Sequence, residues 1–164
     1  MPAINLKTVI NAPVNVCFDA ARSIDLHVQS MQQHHEQAVA GVTQGLIGLN
    51  QTVTWQARHF SLPFKLKVKI TEMELNEFFV DQMVSGPFKW FRHYHAFWPL
   101  QQGTVMVDEF VFKSPLGWLG SLADRWVLKN YLHKLLVQRN QLIKQAAEAQ
   151  SITSLNLNRH EKAY

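Results

Sequence analysis

The feature that most constrains this sequence is a series of alternating apolar and polar runs between residues 52 and 112, followed by a long stretch without proline. The run "QTVTWQARH" places Trp55 and His59 on one face and polar residues on the other, and "KLKVKI" alternates in the same way. A period of two is typical of strands with one buried face, and short turn signals separate the runs. The pattern predicts an antiparallel meander. Further strands are predicted near residues 77–84, 88–98 and 104–112.

The region after Pro115 is predicted to form one helix of about thirty residues, because it contains no further proline and is rich in strong helix formers. Its leucines share an arc roughly 100° wide, which is the face expected to lie on the sheet. Arg139 falls within this arc, where its side chain must find an acid or a ligand oxygen or extend to the edge; we expect the last. Residues 150–164 are polar and unpatterned. We therefore expect a single domain over residues 1–149 and a frayed polar tail over 150–164.

The N-terminal part of the chain predicts a strand followed by two short helices. Residues 3–10 alternate as a half-buried strand does, and Pro13 suits the first turn of a helix. Ser23 can cap a second helix that ends near Met31. With another strand at residues 36–42, the predicted fold class is α+β.

This order of elements resembles the helix-grip fold of the START and Bet v 1-like superfamily, also called SRPBCC, over residues 3–147. The segments "INAPVNVCFDAA", "FRHYHAF" and "SPLGWLGSLADRWVLKNYLHKLLVQRN" are similar to small stand-alone bacterial members. The resemblance implies a curved antiparallel sheet of about seven strands wrapped on the long C-terminal helix, with a cavity between them. It leaves the activity open, because the superfamily includes lipid and sterol carriers, quinone-binding proteins, polyketide cyclases, a ribosome-association toxin and chaperone activators.

Composition narrows the partners and the compartment. Hydrophobic residues make up 47% of the 164 residues and charged residues only 17%, which indicates a large apolar interior or an uncovered apolar surface. The net charge of +4 comes from scattered lysines and arginines, so we expect no nucleic-acid partner. The single cysteine, Cys17, excludes an internal disulfide. Without an apolar run of signal-peptide or membrane-spanning length, the sequence predicts a cytoplasmic protein with no stable membrane insertion.

The segment "KWFRHYHAFWP", residues 89–99, combines phenylalanine, tryptophan, tyrosine and histidine rings on one predicted strand. Alternate residues of a strand share a face, so Arg92 lies opposite both histidines. A guanidinium is far more costly to bury than a neutral imidazole, and we therefore expect the Arg92 face to point outward. The residues predicted to face the cavity are Phe91, His93, His95 and Phe97.

The outward face of the same strand would carry an aromatic row of Trp90, Tyr94 and Trp98. Such a row can serve as a contact for a homodimer or another protein partner. Lysine stems and neighbouring strands can equally cover it, and we favour this second interpretation.

His95 is predicted to pair with an acidic residue on the next strand. If "LQQG" forms a two-residue hairpin loop with Leu100 opposite Gly103, His95 faces Asp108, whereas a loop longer by one residue would give Glu109. We prefer Asp108. The pair can orient the imidazole as a general base, or it can be a polar pair that satisfies itself inside the core.

A metal site is considered because a His-x-His pair on a strand projects two imidazoles to one side. The cupin pattern would need a glutamate shortly after His95, and positions 99 and 100 are Pro and Leu. The "HHE" of residues 34–36 lacks the helical histidine pair of a metalloprotease. We therefore expect neither a metal nor a cofactor.

Three functions follow from these patterns. The preferred one is a non-enzymatic protein that binds a small hydrophobic molecule, such as a lipid, a quinone or a polyketide-like compound, in the internal cavity. The alternatives are a cyclase or hydrolase that uses His95 with Asp108 on a hydrophobic substrate, and a protein-interaction module. Apart from this conditional pair, the sequence names no catalytic residue. The predicted cavity residues are Trp55, His59, Phe91, His93, His95, Phe97, Asp108, Phe110 and Arg139.

Overall fold

The computed structural model of the chain describes residues 2–59, 62–113 and 127–161, without the side chains of His59 and of residues 155–161. Seven strands form one antiparallel sheet in the order β1-β7-β6-β5-β4-β3-β2. Strands β2 to β7 follow one another as the predicted meander, and β1 lies beside β7. The strands are β1 (Ala3–Ile10), β2 (Gln37–Gly41), β3 (Thr52–His59), β4 (Leu62–Glu74), β5 (Phe78–Ser85), β6 (Trp90–Leu100) and β7 (Gly103–Lys113).

The sheet is curved, and its pairing is irregular at three places. The register shifts between Ala38 and Ala40 where β2 pairs with β3. It shifts twice more where β4 pairs with β5, once next to Val68 and once between Ile70 and Glu72. Such irregularities bend a strand and increase its twist. A bent sheet of this kind has a concave face that can wrap a helix.

Two short helices follow β1, as predicted: α1 (Val14–Ala21) and α2 (Ile24–Ser30). The hydroxyl of Ser23 accepts a hydrogen bond from the backbone N–H of Leu26 at 3.2 Å and so caps α2. Cys17 and Phe18 on α1 are fully buried, which places the apolar face of this helix against the sheet.

The long helix α3 (Lys129–Glu161) has 33 residues, about 50 Å at roughly 1.5 Å per residue. Its buried residues recur on one face: Arg139, Asn140, Ile143 and Ala147. The prediction of a frayed tail from residue 150 was wrong, since the helix continues through Glu161. The predicted beginning of the helix, before residue 127, lies outside the described residues. No helix in the described ranges is long and apolar enough to cross a membrane.

The core under α1 is built from aromatic rings. The Phe18 ring lies edge-on to Phe79 and Phe97, with ring centroids 5.7 and 5.4 Å apart. All three side chains are at most 3% exposed. This contact ties α1 to strands β5 and β6 and closes one end of the concave face.

Candidate functional site

A cavity of about 490 Å³ lies between the sheet, α2 and α3. Small-molecule sites in proteins commonly have volumes of about 300–1,000 Å³. One water occupies about 30 Å³ of the liquid, so the cavity is far larger than a packing defect.

Most of the cavity wall is apolar, because the inward positions of β3 and β4 face the leucines of the long helix. The alternation seen in the sequence explains this arrangement: every second residue of these strands points to the concave side. The main apolar lining residues are Val53, Trp55, Ala57, Leu66, Val68, Ile70, Leu132, Leu135 and Leu136.

The side chains with charged or hydrogen-bonding groups in the cavity lining include Asp81, His93 and Arg139. Arg139 is only 8% exposed, and its guanidinium donates a hydrogen bond to the backbone carbonyl of Ala21 at 2.8 Å. The expectation that this side chain extends to the edge was therefore wrong. The guanidinium stays inside because the carbonyl at the C-terminal end of α1 accepts its hydrogen bond.

Two further polar side chains in the cavity lining, His27 and Glu36, form a pair that was not predicted from the sequence. His27 Nε2 lies 2.5 Å from Glu36 Oε1, and the His27 ring stacks on Trp55 with centroids 4.1 Å apart. The stacking fixes the plane of the imidazole against the apolar wall.

Asp81, His93, His95 and Asp108 form what we call the buried network. His95 Nε2 lies 3.0 Å from Asp81 Oδ2, and His93 Nδ1 lies 3.9 Å from the same oxygen. The opposite nitrogens face Asp108: its Oδ1 lies 3.2 Å from His93 Nε2 and 2.7 Å from His95 Nδ1. The last contact is short but out of line for a hydrogen bond. Two imidazoles therefore stand between two carboxylates.

Residues outside the buried network hold Asp108 in place. Asn140 donates a hydrogen bond from Nδ2 to Asp108 Oδ2 at 2.6 Å, and the same nitrogen lies 3.3 Å from the hydroxyl of Thr8. The long helix and β1 thus fix the carboxylate that contacts both histidines.

Burial and charge act differently on the members of the buried network. Burial, together with the charge of His95, lowers the pKa of His93 from 6.5 to about 4. Burial also lowers the pKa of His95, but the nearby carboxylates of Asp108 and Asp81 outweigh it, so this pKa lies above 6.5. Burial raises the pKa of both carboxyl groups, but the neighbouring histidines lower it by more. The pKa of Asp108 therefore lies well below 3.8, and the pKa of Asp81 lies below 3.8.

These directions favour charges of opposite sign side by side in the site. The lowered pKa values favour the carboxylate forms of Asp81 and Asp108, the raised pKa of His95 favours its imidazolium form, and Arg139 contributes a guanidinium. His93 is uncharged. This pairing of opposite charges explains how so many ionisable groups can lie together in the interior, since an uncompensated charge would be strongly unfavourable there.

The lowered pKa of His93 predicts that the free energy of unfolding rises with pH between about 4 and 6.5. In this interval the unfolded chain binds the His93 proton and the folded chain does not, which adds up to about 1.4 kcal/mol per pH unit. Urea unfolding across this interval, with a chelator present, measures the slope. His93→Gln should reduce the slope by that amount. An unchanged slope in the variant would contradict the prediction.

The structure separates the predicted cavity residues into two groups. Five of them line the cavity: Trp55, Phe91, His93, Phe110 and Arg139. The other described side chains are buried but lie outside the lining, with His95 and Asp108 fully buried and Phe97 3% exposed. The side chain of His59 lies outside the described part of the structure.

The predicted register of β6 and β7 is confirmed. Leu100 pairs with Gly103 and His95 pairs with Asp108, so the acid beside His95 is Asp108 and not Glu109. Asp81, which contacts both histidines from β5, was missed in the sequence. It pairs with His93 across the strands, but the loop between β5 and β6 is too long to set this register in advance.

The aromatic row on the outer face of β6 is only partly exposed. Trp98 is 51% exposed, whereas Trp90 and Tyr94 are half-buried. Phe78 packs on the Tyr94 ring, with centroids 5.6 Å apart, and the Arg92 guanidinium lies 5.5 Å from the centre of that ring. A protein contact through the row remains a prediction.

Comparison with known proteins gives matches in structure and none in sequence. No protein-family model and no curated protein matches the chain. The chain is similar to TTHA0849 from Thermus thermophilus, with a TM-score of 0.74 at 15% identity over 92% of this chain and 99% of that one. It is similar to major latex-like protein 151 from Panax ginseng, with a TM-score of 0.66 at 12% identity over 89% and 97%.

A third similar structure is the di-domain ARO/CYC StfQ from the steffimycin biosynthetic pathway. The TM-score is 0.68 at 12% identity, and the match covers 90% of this chain but 51% of StfQ. Similarities at such low identity establish the fold alone. Taken with the seven-stranded antiparallel sheet and the long helix packed on it, they show that the chain has the Bet v 1-like, or SRPBCC, helix-grip fold.

Proposed function

We propose that this protein binds a small hydrophobic molecule in the cavity between the sheet and the long helix. The observation that carries the proposal is the cavity itself, about 490 Å³ with walls built mainly from aliphatic and aromatic side chains. Pockets for small molecules generally combine such walls with a few polar groups that fix the orientation of the ligand. Asp81, His93 and Arg139 supply those groups here.

The polar groups narrow the ligand class that we infer. The cavity-facing Arg139 guanidinium donates to the carbonyl of Ala21 and has further N–H donors, which a ligand oxygen could accept and a purely apolar molecule could not. A lipid, a quinone or a polyketide-like compound has an apolar body and oxygen atoms that accept hydrogen bonds. We therefore favour a ligand of this kind, with an oxygen directed toward Arg139 and His93.

The enzymatic alternative, with His95 as a general base oriented by Asp108, has weaker support. A general base must come within hydrogen-bond reach of the proton it removes. The His95 side chain is fully buried and is not part of the cavity lining, so a bound ligand would not reach it. His93 does line the cavity, but its pKa of about 4 makes it a weak base.

A cavity-filling variant tests the proposal. Val53 lines the cavity and is 2% exposed, so Val53→Phe should place a ring in the ligand volume and weaken binding of an apolar fluorescent probe at least tenfold, about 1.4 kcal/mol. Thr54→Phe is the matched control, because the next residue of the strand points to the opposite face. Equal probe binding in Val53→Phe and in the unmodified protein would overturn the proposal.

Native mass spectrometry of protein purified from its own host identifies the ligand. We expect a co-purifying compound with an apolar body that is retained in the Thr54→Phe variant and lost in Val53→Phe. A compound retained equally in both variants would be bound elsewhere, which would contradict the proposal that the cavity is the ligand site.

A further inference from the structure

Three donor side chains of the buried network converge on one point. One ligand atom each from Asp81, His93 and His95 lies within 4.8 Å of the others. The sheet causes this convergence: Asp81 on β5 pairs directly with His93 on β6, and His95 follows two residues later on the same face. The two strands therefore present a carboxylate and two imidazoles side by side.

The orientation of the two imidazoles is the second observation. His95 Nε2 and His93 Nδ1 both face Asp81 Oδ2, at 3.0 and 3.9 Å. Two ligand atoms that are each about 2.0–2.1 Å from a tetrahedral ion stand roughly 3.4 Å apart. The two observed distances lie on either side of that value. The three ligand atoms lie within 4.8 Å of one another, so the side chains would have to draw together to coordinate one ion.

Asp108 lies where a metal site usually has a carboxylate behind its histidine ligands, on the side of the imidazoles away from the ion. A histidine bound to a metal through one ring nitrogen usually donates the N–H of the other to a carboxylate. The nitrogens that face away from Asp81 both face Asp108 Oδ1, at 3.2 and 2.7 Å. The second oxygen of Asp108 accepts a hydrogen bond from Asn140, so the outer carboxylate is itself held in place.

We propose that Asp81, His93 and His95 bind one divalent transition-metal ion, with the Asp108 carboxylate behind both imidazoles, where it is hydrogen-bonded to His93 Nε2 and in contact with His95 Nδ1. Two imidazoles and one carboxylate suit Zn²⁺ and its first-row neighbours, whereas Mg²⁺ and Ca²⁺ prefer oxygen ligands alone. Three protein ligands leave at least one coordination position open. Asp81 and His93 line the cavity, so the open position faces it.

The charges around the site are compatible with a divalent cation. With both imidazoles neutral, the two carboxylates and the Arg139 guanidinium give a net charge of one negative unit, which a divalent ion changes to one positive unit. One anionic group from the cavity side would restore neutrality. The inference goes beyond the proposed function and does not depend on it.

The test uses chelator-treated protein titrated with Zn²⁺ by calorimetry and with Co²⁺ by absorption spectroscopy. We expect one ion per chain and the intense visible bands of four-coordinate Co²⁺. Asp81→Asn keeps the shape of the side chain and should weaken metal binding at least a hundredfold. Asp108→Asn should weaken it about 10–100-fold, as is typical when a residue that supports the metal ligands is changed. His35→Gln, in the exposed histidine of the "HHE" segment, should change nothing.

Circular dichroism on every variant shows that it is folded, and His93→Gln provides a second ligand deletion if Asp81→Asn is not. Loss of Zn²⁺ binding in a folded ligand variant, with binding retained in His35→Gln, supports the proposal. Absence of stoichiometric binding in the unmodified protein, or equal affinity in Asp81→Asn, overturns it. Binding of the apolar fluorescent probe is measured in parallel, so a failed metal site can be distinguished from a failed ligand cavity.

Discussion

Replacing Asp108 by asparagine should lower the free energy of unfolding by roughly 3–5 kcal/mol, as is typical when one member of a buried ion pair is removed. The Asp108 carboxylate is fully buried and contacts His93, His95 and Asn140. An amide has almost the same volume but no charge, so His95 would lose one of the two carboxylates that favour its charged form. Domains are commonly stable by only about 5–15 kcal/mol, and the expected loss is a large part of that. Urea unfolding of chelator-treated protein measures it.

Glu109→Gln is the matched control for Asp108→Asn. The two acids are neighbours on β7, but Glu109 is exposed and Asp108 is buried. A surface substitution of this kind should change stability by no more than about 0.5 kcal/mol. A similar decrease in the free energy of unfolding for the two variants would mean that the buried Asp108 carboxylate stabilises the fold no more than an exposed one, and would contradict the prediction.

The strand register beside His95 could be predicted because the loop between β6 and β7 is short. A two-residue hairpin loop sets the pairing of every position behind it, so Leu100 opposite Gly103 leads directly to His95 opposite Asp108. The loop between β5 and β6 is longer and does not have this property. Asp81 was therefore missed, although it pairs with His93 and completes the cluster of donors.

The sequence predicted which face of β6 each residue occupies, but not whether an inward-facing side chain lines the cavity or is covered by a helix. Phe91, His93, His95 and Phe97 are all buried on the inner face of β6, as expected. Different parts of the molecule cover the two ends of this face. Phe18 of α1 packs on Phe97 and buries that end, while Phe91 and His93 remain open to the cavity. Alternation along one strand contains no information about which helix lies above it.

The C-terminal tail shows a related limit. Residues 150–161 were expected to fray because they are polar and lack an apolar stripe, yet they continue the helix α3. The segment contains neither proline nor glycine, the two residues that most strongly oppose helix, so nothing in it ends the preceding helix. Polarity alone was a poor criterion for the helix end.

Arg139 was misjudged for an electrostatic reason. Arginine in an apolar helical arc commonly extends its stem to reach water. Here Asp81, which the sequence did not place, lies near enough for the guanidinium to lower its pKa. The carbonyl of Ala21 accepts a hydrogen bond from the same group. A nearby opposite charge and an available carbonyl together make the interior favourable for this side chain.

Replacing Arg139 by methionine should therefore lower the free energy of unfolding by about 2–4 kcal/mol. Methionine fills a similar volume, so the loss comes from the hydrogen bond to Ala21 and from the uncompensated negative charge of the buried network. The same change should raise the pKa of His95, because Arg139 lowers it in the unmodified protein. Urea unfolding gives the first quantity, and titration of the His95 ring protons by NMR gives the direction of the second.

Arg92→Met separates this effect from the general loss of an arginine. Arg92 forms a surface pair with Glu72 at 3.4 Å, and the two side chains are 34% and 50% exposed. Exposed pairs contribute only about 0–1 kcal/mol, so this variant should be nearly as stable as the unmodified protein. If Arg139→Met were equally harmless and left the pKa of His95 in place, the guanidinium would not be the positive charge that balances the two buried carboxylates.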